Sequence, residues 1–385
     1  MTIEELRASL AEVDRKIISL VGTRQRLAGA VGELKDREAR SLRDFAQEKD
    51  VMQRARRAAA ESGVAPSVAD ELMNVLIRCS LTLQERRRVE TLGQGGGRRA
   101  LVIGGSGRMG TWFAQFLASQ GFGVEVADPV VPNGDFPHVP DWRDSSLDHD
   151  LIVVAAPLRA TATILTALVE RRPSGVVFDI GSLKSPLRES LRALAAAGVK
   201  VTSIHPMFGP DTALLSGCHV IRVDLGVPEA NQAADALFAS TMATVVPMDL
   251  EQHDRVVAYV LGLSHALNIA FFTALSESGA PANDLTRISS TTFDHQLTVA
   301  GRVANENPHL YFEIQHLNDY GTESLAALLA AVERLRTAVR AGDEAGFTEL
   351  MERGRRYLAG RGESGFSTTG PTSIGRPGPL TDPGS

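Results

Sequence analysis

Ile3, Leu6, Leu10, Val13, Ile17, Leu20, Leu27, Val31 and Leu34 follow one another in steps of three and four, the spacing of one apolar stripe on a helix of coiled-coil type. A helix from about Thr2 to Lys35 would be roughly 50 Å long at 1.5 Å per residue. A compact domain of about 90 residues is only about 30 Å across. The helix therefore overhangs any core its own chain can build, and the pattern predicts a homodimer through this segment. One position breaks the series, because Arg24 stands where an apolar residue belongs.

At 385 residues the chain is long enough for two or three domains. Aromatics are scarce at 5% and the net charge is −6, so nucleic acid is a poor expectation: an acidic chain gains nothing from counterion release. Cys79 and Cys218 are too few for a disulfide framework and lack metal-ligand spacing, which fits a reducing cytoplasm and no metal. The charged start argues against a signal peptide, and no apolar run reaches the roughly 18 residues of a membrane span. Composition divides the chain into a helical module over 1–90, a flexible glycine-rich linker over 91–98, an alternating strand–helix region over 99–248, a helical region over 249–360 and a disordered tail over 361–385. In the first module a second helix is expected from about Arg43 to Ala60, and a third after Pro66-Ser67 with Ser67 as its N-cap.

A buried, unpaired guanidinium is costly, so Arg24 needs a partner. One reading is a salt bridge to a glutamate of the paired helix. The other is an anion site inside the bundle, with Arg7, Arg24, Lys35 and Arg43 converging and Glu48 and Gln84 adding directional polar groups. Such a pocket suits a small dianion that also carries a hydroxyl or ether oxygen. Residues 1–88 resemble the all-helical chorismate mutases, on Leu6-Arg7, Arg24, Lys35, Arg43-Asp44, Glu48 and Ser80 through Gln84. The resemblance implies that Arg7 (crossing to the partner), Arg24 and Arg43 hold the carboxylates of chorismate, with Ser80 beside them. It implies that Lys35 and Gln84 contact the ether oxygen, and that Glu48 and the neighbourhood of Asp44 receive the ring hydroxyl. Gln47 stands where that family usually has arginine. Either the neighbouring arginines suffice, or the position marks a substrate with an amine in place of the hydroxyl.

The strand Ala100–Gly104 runs into Gly105-Ser-Gly107-Arg108-Met109-Gly110 and then an amphipathic helix, the context a dinucleotide fingerprint requires. Asp128 ends the next strand about 20 residues on, where a carboxylate accepts ribose hydroxyls and repels a 2′-phosphate; NAD is expected over NADP. The continuous apolar runs Leu151–Ala156 and Val176–Ile180 read as parallel strands covered on both faces. Ligands bind beyond the C-terminal ends of such strands, where Ser182 and His205 fall. His205 is the candidate general base, since imidazole titrates near neutrality. His253 and His265 lie on an expected helix, in core or on surface. The whole predicts an α plus α/β multidomain protein: an all-α three-helix module, a Rossmann-type parallel-sheet domain and an all-α C-terminal domain.

Residues 99–358 resemble prephenate dehydrogenases, on His205-Pro-Met-Phe-Gly-Pro-Asp211, Asp179-Ile-Gly-Ser182-Leu-Lys184, the segment Glu251-Gln-His-Asp254 with His265, and Gly301-Arg302 with Asn307-Pro308. That implies NAD held by Gly105, Gly107, Arg108, Met109, Gly110 and Asp128, Ser182 orienting His205, and His265 with Arg302 holding carboxylates. It also implies that the C-terminal helices dimerise. The product of the first family is the substrate of the second, so the sequence is similar to bifunctional chorismate mutase–prephenate dehydrogenases of tyrosine biosynthesis. Three alternatives stay open: the 4-amino-4-deoxy counterpart, a generic β-hydroxyacid dehydrogenase, and a non-catalytic NAD sensor.

Overall fold

The computed structural model describes residues 1–360; the tail expected over 361–385 lies outside them. Backbone contacts group Met1–Leu329 into one compact unit and the chain from Ala330 into another.

Thr2 opens α1 (Ile3–Arg37) with a capping box: its hydroxyl accepts from Glu5 N–H, and the Glu5 carboxylate accepts from Thr2 N–H. The apolar stripe lies open, with Leu10 63% and Leu20 68% exposed. Asp44 caps α2 (Phe45–Glu61) by accepting from Gln47 N–H. Ser67 is not the cap of α3 (Pro66–Leu92); it lies inside the first turn, and Ala65 precedes the helix without a side-chain cap. Proline at the first helical position has no N–H to satisfy, which makes that start self-sufficient. α3 packs along α1 and α2, and its Val89 enters the apolar core of the sheet domain.

The glycine-rich segment expected to be a flexible hinge is instead docked. Gly95 N–H donates to Gln120 O (2.8 Å) and Gly97 N–H to Gly121 O (3.1 Å). A Cβ on Gly95 would lie 2.2 Å from the Gly121–Phe122 backbone. The glycines permit close backbone approach, a use composition cannot distinguish from flexibility.

Eight strands form one sheet: β1 (Arg99–Ile103), β2 (Gly123–Ala127), β3 (His138–Val139), β4 (Leu151–Val154), β5 (Val176–Asp179), β6 (Val201–Pro206), β7 (His219–Val223) and β8 (Thr244–Met248), in the order β3-β2-β1-β4-β5-β6-β7-β8. The run from β3 to β6 is parallel, as expected. β7 departs from that expectation, pairing antiparallel with β6, because the loop after Pro206 turns straight back. On β1, Ala100 and Val102 face α4 (Arg108–Ser119), while Leu101 and Ile103 face α5 (Leu158–Arg171) and α6 (Arg188–Ala196). Both faces are thus covered, which accounts for the unbroken apolar runs. α7 (Pro228–Phe238) lies on the α4 side. The strand order reverses between β1 and β4, the place where open sheets bind ligands.

Beyond β8 the chain is helical: α8 (Leu250–Val257), a π segment (Ala258–Leu263), α9 (Ser264–Glu277), α10 (Ala282–Arg287), α11 (Thr291–Ala304), α12 (Pro308–His316), α13 (Gly321–Ala341) and α14 (Glu344–Ala359). Leu250–Glu277 is continuous and, by length and a mean hydropathy of 1.6, apolar enough to cross a membrane. The expectation that no apolar run reaches that length still holds, because Ser264, His265 and Asn268 interrupt this one, and only an averaged window tolerates them. Its first turns carry the buried His253 and Asp254.

Candidate active sites

At the C-terminal edge of the sheet, β6 delivers His205, 4% exposed, and α8 delivers His253 and Asp254, both fully buried. His205 Nδ1 lies 3.0 Å from His253 Nε2, and His253 Nδ1 lies 2.6 Å from Asp254 Oδ1. Asp254 also accepts from Lys184 N–H (2.9 Å), Ser185 N–H and the Ser185 hydroxyl. An ionised carboxylate can only accept, so His253 Nδ1 carries a proton and its Nε2 does not. His205 Nδ1 must then be the donor to His253 Nε2, which leaves His205 Nε2 with a free lone pair. This assignment follows from the hydrogen-bond network.

Burial first, then the neighbouring His253 and Lys184, holds His205 well below the usual imidazole range. Burial lowers His253 as well, against the pull of Asp254. For Asp254, burial pushes upward, but His253, Ser185 and Lys184 hold it below the usual carboxylate range. The Lys184 ammonium, also fully buried, donates to Asp179 Oδ2 (2.8 Å), Gly181 O (2.7 Å) and Ile204 O (2.9 Å). It thereby ties the end of β5 to the residue before His205.

The hydrogen-bond partner of His205 is His253, not Ser182, which is half-buried and makes no hydrogen bond to the imidazole among the described residues. The sequence reading missed this role of His253. The signal was its neighbour Asp254 in the segment 251–254, but only the fold shows that this helix reaches β6. His265 stacks on Tyr311 with ring centroids 4.2 Å apart, and its buried Nδ1 has no partner among the described residues. Arg302 is exposed on α11.

The glycine turn fits a dinucleotide. Gly104 leaves β1 at φ +83°, a conformation that favours glycine. A Cβ on Gly105 would lie 2.6 Å from Val126 Cγ1, and one on Gly110 would lie 2.1 Å from Gly104 O. Gly107 precedes α4 and no side chain caps that helix, which leaves its first turn open to an anion. Asp128 follows β2 directly and accepts from Ser106 N–H (3.1 Å) and Val130 N–H (2.9 Å), so its carboxylate sits beside the turn. Met109 packs on the core below the turn. The Arg108 side chain turns to Asp211 (2.9 Å) and Glu306 (3.5 Å).

In the helical module, Arg24 Nη1 donates to Leu76 O (2.7 Å) and Ser80 Oγ (2.5 Å), so the guanidinium in the stripe is met from α3. Lys35 Nζ donates to Leu42 O (2.6 Å). Arg43 forks onto Glu48 through Nε and Nη2 (3.0 and 3.1 Å) and donates through Nη1 to Ser216 Oγ (2.8 Å). Gln84 Nε2 donates to Ala28 O (2.6 Å), and its Oε1 is buried without a partner among the described residues. One of the two Gln84 Nε2 protons is thus held by the α1 backbone, and the other is left for an ether oxygen. Asp44 serves as the α2 cap, and Gln47 is exposed. Arg7 lies on the exposed first half of α1, away from the other cations of its own chain. A cavity of 360 Å³ opens between α1 and α3, lined by Gly29, Gly32, Gln84 and Arg87 among others; of the expected mutase residues only Gln84 borders it.

Three family descriptions match the chain: chorismate mutase type II over residues 6–85, the nucleotide-binding domain of prephenate dehydrogenase over 138–225, and its dimerization domain over 249–353. The T-protein of Enterobacter agglomerans is 26% identical over 312 residues, 80% of each chain. The 4-amino-4-deoxyprephenate dehydrogenase of Streptomyces pristinaespiralis is 30% identical over 275 residues, 69% of this chain and 92% of that one. Among solved structures, a prephenate dehydrogenase from A. aeolicus with hydroxyphenyl propionate and NAD+ superposes with a TM-score of 0.55 at 20% identity, over 68% of this chain and 98% of that one.

Proposed function

Because the chain belongs to the prephenate dehydrogenase family and carries a chorismate mutase type II domain at residues 6–85, we propose that it performs two consecutive steps of tyrosine biosynthesis. It rearranges chorismate to prephenate and then oxidatively decarboxylates prephenate to 4-hydroxyphenylpyruvate with NAD.

The first reaction is unimolecular and needs neither nucleophile nor general acid. Arg24 and Arg43, with the partner subunit's Arg7, hold the carboxylates. Ser80 orients Arg24, and Lys35, whose bond to Leu42 O leaves two ammonium protons for the substrate, contacts the ether oxygen together with Gln84 as its bond breaks. Glu48 and Asp44 receive the ring hydroxyl. Positioning and electrostatic stabilisation account for the rate.

In the second reaction, bound NAD supplies a hydride acceptor. His205 Nε2 takes the proton of the 4-hydroxyl while His253 and Asp254 hold the opposite nitrogen protonated. Loss of carbon dioxide leaves its electron pair in the ring, which becomes aromatic, and the proton on His205 returns to the phenolate. His265 and Arg302 hold carboxylates, and Ser182 lies at the crevice. Gly105, Gly107 and Gly110 would let a pyrophosphate approach α4, and Asp128 would take the ribose hydroxyls. The observation that carries the reading is the buried His205–His253–Asp254 chain. The open α1 stripe and the match to a dimerization domain support a homodimer, working in the cytoplasm on small-molecule substrates.

The 4-amino-4-deoxy series is the second reading, favoured by the Streptomyces relative and by Gln47. Incubating the purified protein with chorismate, with and without NAD, tests the first: prephenate accumulates without NAD and 4-hydroxyphenylpyruvate with it. Turnover confined to the 4-amino substrates would replace it by the second.

A further inference from the structure

We propose that Ser216, in the loop leaving the His205 strand, is a positioning residue for the mutase pocket: its hydroxyl fixes Arg43, so the sheet domain completes a substrate cation of the helical module. The inference rests on the reading of Arg43 as a chorismate ligand.

Arg43 lies just before the α2 cap, on chain that no helix holds. The Glu48 fork sets the plane of its guanidinium, and the Phe45 ring lies 4.4 Å from its central carbon. Nη1 points away from that fork and donates to Ser216 Oγ at 2.8 Å, a further anchor on the same guanidinium, from the sheet domain. Ser216 is itself rigidly presented. The preceding residue, Leu215, is buried in the sheet-domain core and donates its N–H to Glu85 of α3 (2.8 Å). Glu85, 4% exposed, also accepts from Met242 N–H. Cys218 N–H closes the turn onto Leu215 O, and further back Met207 N–H bonds His219 O and Trp112 Nε1 bonds Thr212 O. The loop from 207 to 218 is therefore held along its length.

Docking of the two modules is the task of Glu85, a buried carboxylate that satisfies two backbone donors. The Arg43–Ser216 bond lies at the rim, where the Arg43 side chain is 29% exposed. A bond there adds little to stability. Its consequence falls on the geometry of Arg43, one of the groups that must meet a carboxylate end-on.

The test uses the full-length protein with Ser216→Ala, Ser216→Thr and Arg43→Ala, reading mutase kcat and KM, dehydrogenase kcat/KM on supplied prephenate, and melting temperature. Ser216→Ala should raise KM for chorismate roughly tenfold, through misplacement of Arg43, with kcat, dehydrogenase activity and melting temperature unchanged. Ser216→Thr, which restores the hydroxyl, should return KM to the parent value. If Arg43→Ala impairs the mutase while Ser216→Ala does not, the proposal is overturned and the pocket reading stands. A Thr variant as impaired as Ala, or a matching fall in melting temperature and dehydrogenase activity, also overturns it. If Arg43→Ala leaves the mutase untouched, the pocket reading fails and takes the proposal with it.

Discussion

In the helical module Arg24, Lys35, Arg43 and Glu48 all keep contact with solvent, and Arg7 stands apart on an open helix face. At the sheet edge Lys184, His205, His253 and Asp254 are at most 4% exposed, and their hydrogen bonds close within one chain. The difference follows the chemistry. A rearrangement without proton transfer needs cations with free N–H groups facing a pocket. A proton acceptor needs a dry surrounding and a fixed tautomer, since water would let the imidazole choose either nitrogen. The first site therefore tolerates contact with solvent, whereas the hydrogen-bond chain of the second is sealed from it.

The largest effects should come from the buried chain. His205→Asn should cut dehydrogenase turnover about a thousandfold, within the usual range for a general base, and leave the mutase intact; an unchanged rate removes His205 from the mechanism. Asp254→Asn should cost almost as much, because an amide donor reverses the tautomers and puts the proton on His205 Nε2. Retained turnover in that variant would mean that the outer two residues serve structure alone. Next comes the helical module: Arg24→Ala should lower mutase kcat/KM by at least about a hundredfold while dehydrogenase activity on supplied prephenate persists. Equal loss of both would point to the fold and dissolve the contrast between the sites.

Smaller effects sharpen the contrast. His205 and His253 are held neutral by burial. Below about pH 6.5 the unfolded chain takes up protons that the folded chain does not. Stability is then complete above the unfolded value and falls as the pH drops toward the lowered folded values. Urea unfolding at pH 5 and 7.5 measures that slope, and the acid limb of dehydrogenase kcat/KM should lie below about 6.5. A limb at or above it would mean a wetter site than the one described. Smallest is the seam between the modules. Glu85→Ala should destabilise by about 2–4 kcal/mol, because it strands two buried N–H groups, and calorimetry of the whole chain reads it directly.

The elements built on periodicity were legible. The stripe placed α1, and its Thr2–Glu5 capping box adds a local start signal; the strand–glycine–helix order located the nucleotide turn and the apolar runs located β4 and β5. Two local readings went astray for one reason. Ser67 resembled a cap and residues 92–98 resembled a hinge, yet Pro66 removes the need for a cap and the backbone of Gln120–Phe122 occupies the space a hinge would leave. Composition states what a residue permits; its neighbours decide which permission is used.

The sequence by itself determined the three regimes of the chain, the glycine cradle, the cations of the helical module and the histidine at the sheet edge. Each follows from spacing along one element. Only the tertiary structure decided that His253 rather than Ser182 meets His205, that Gln84 donates one of its amide protons to Ala28, that β7 runs antiparallel and that Ser216 touches Arg43. The side-chain pairings among these join residues 48 to 173 positions apart, and nothing in local spacing carries the direction in which one packed element approaches another.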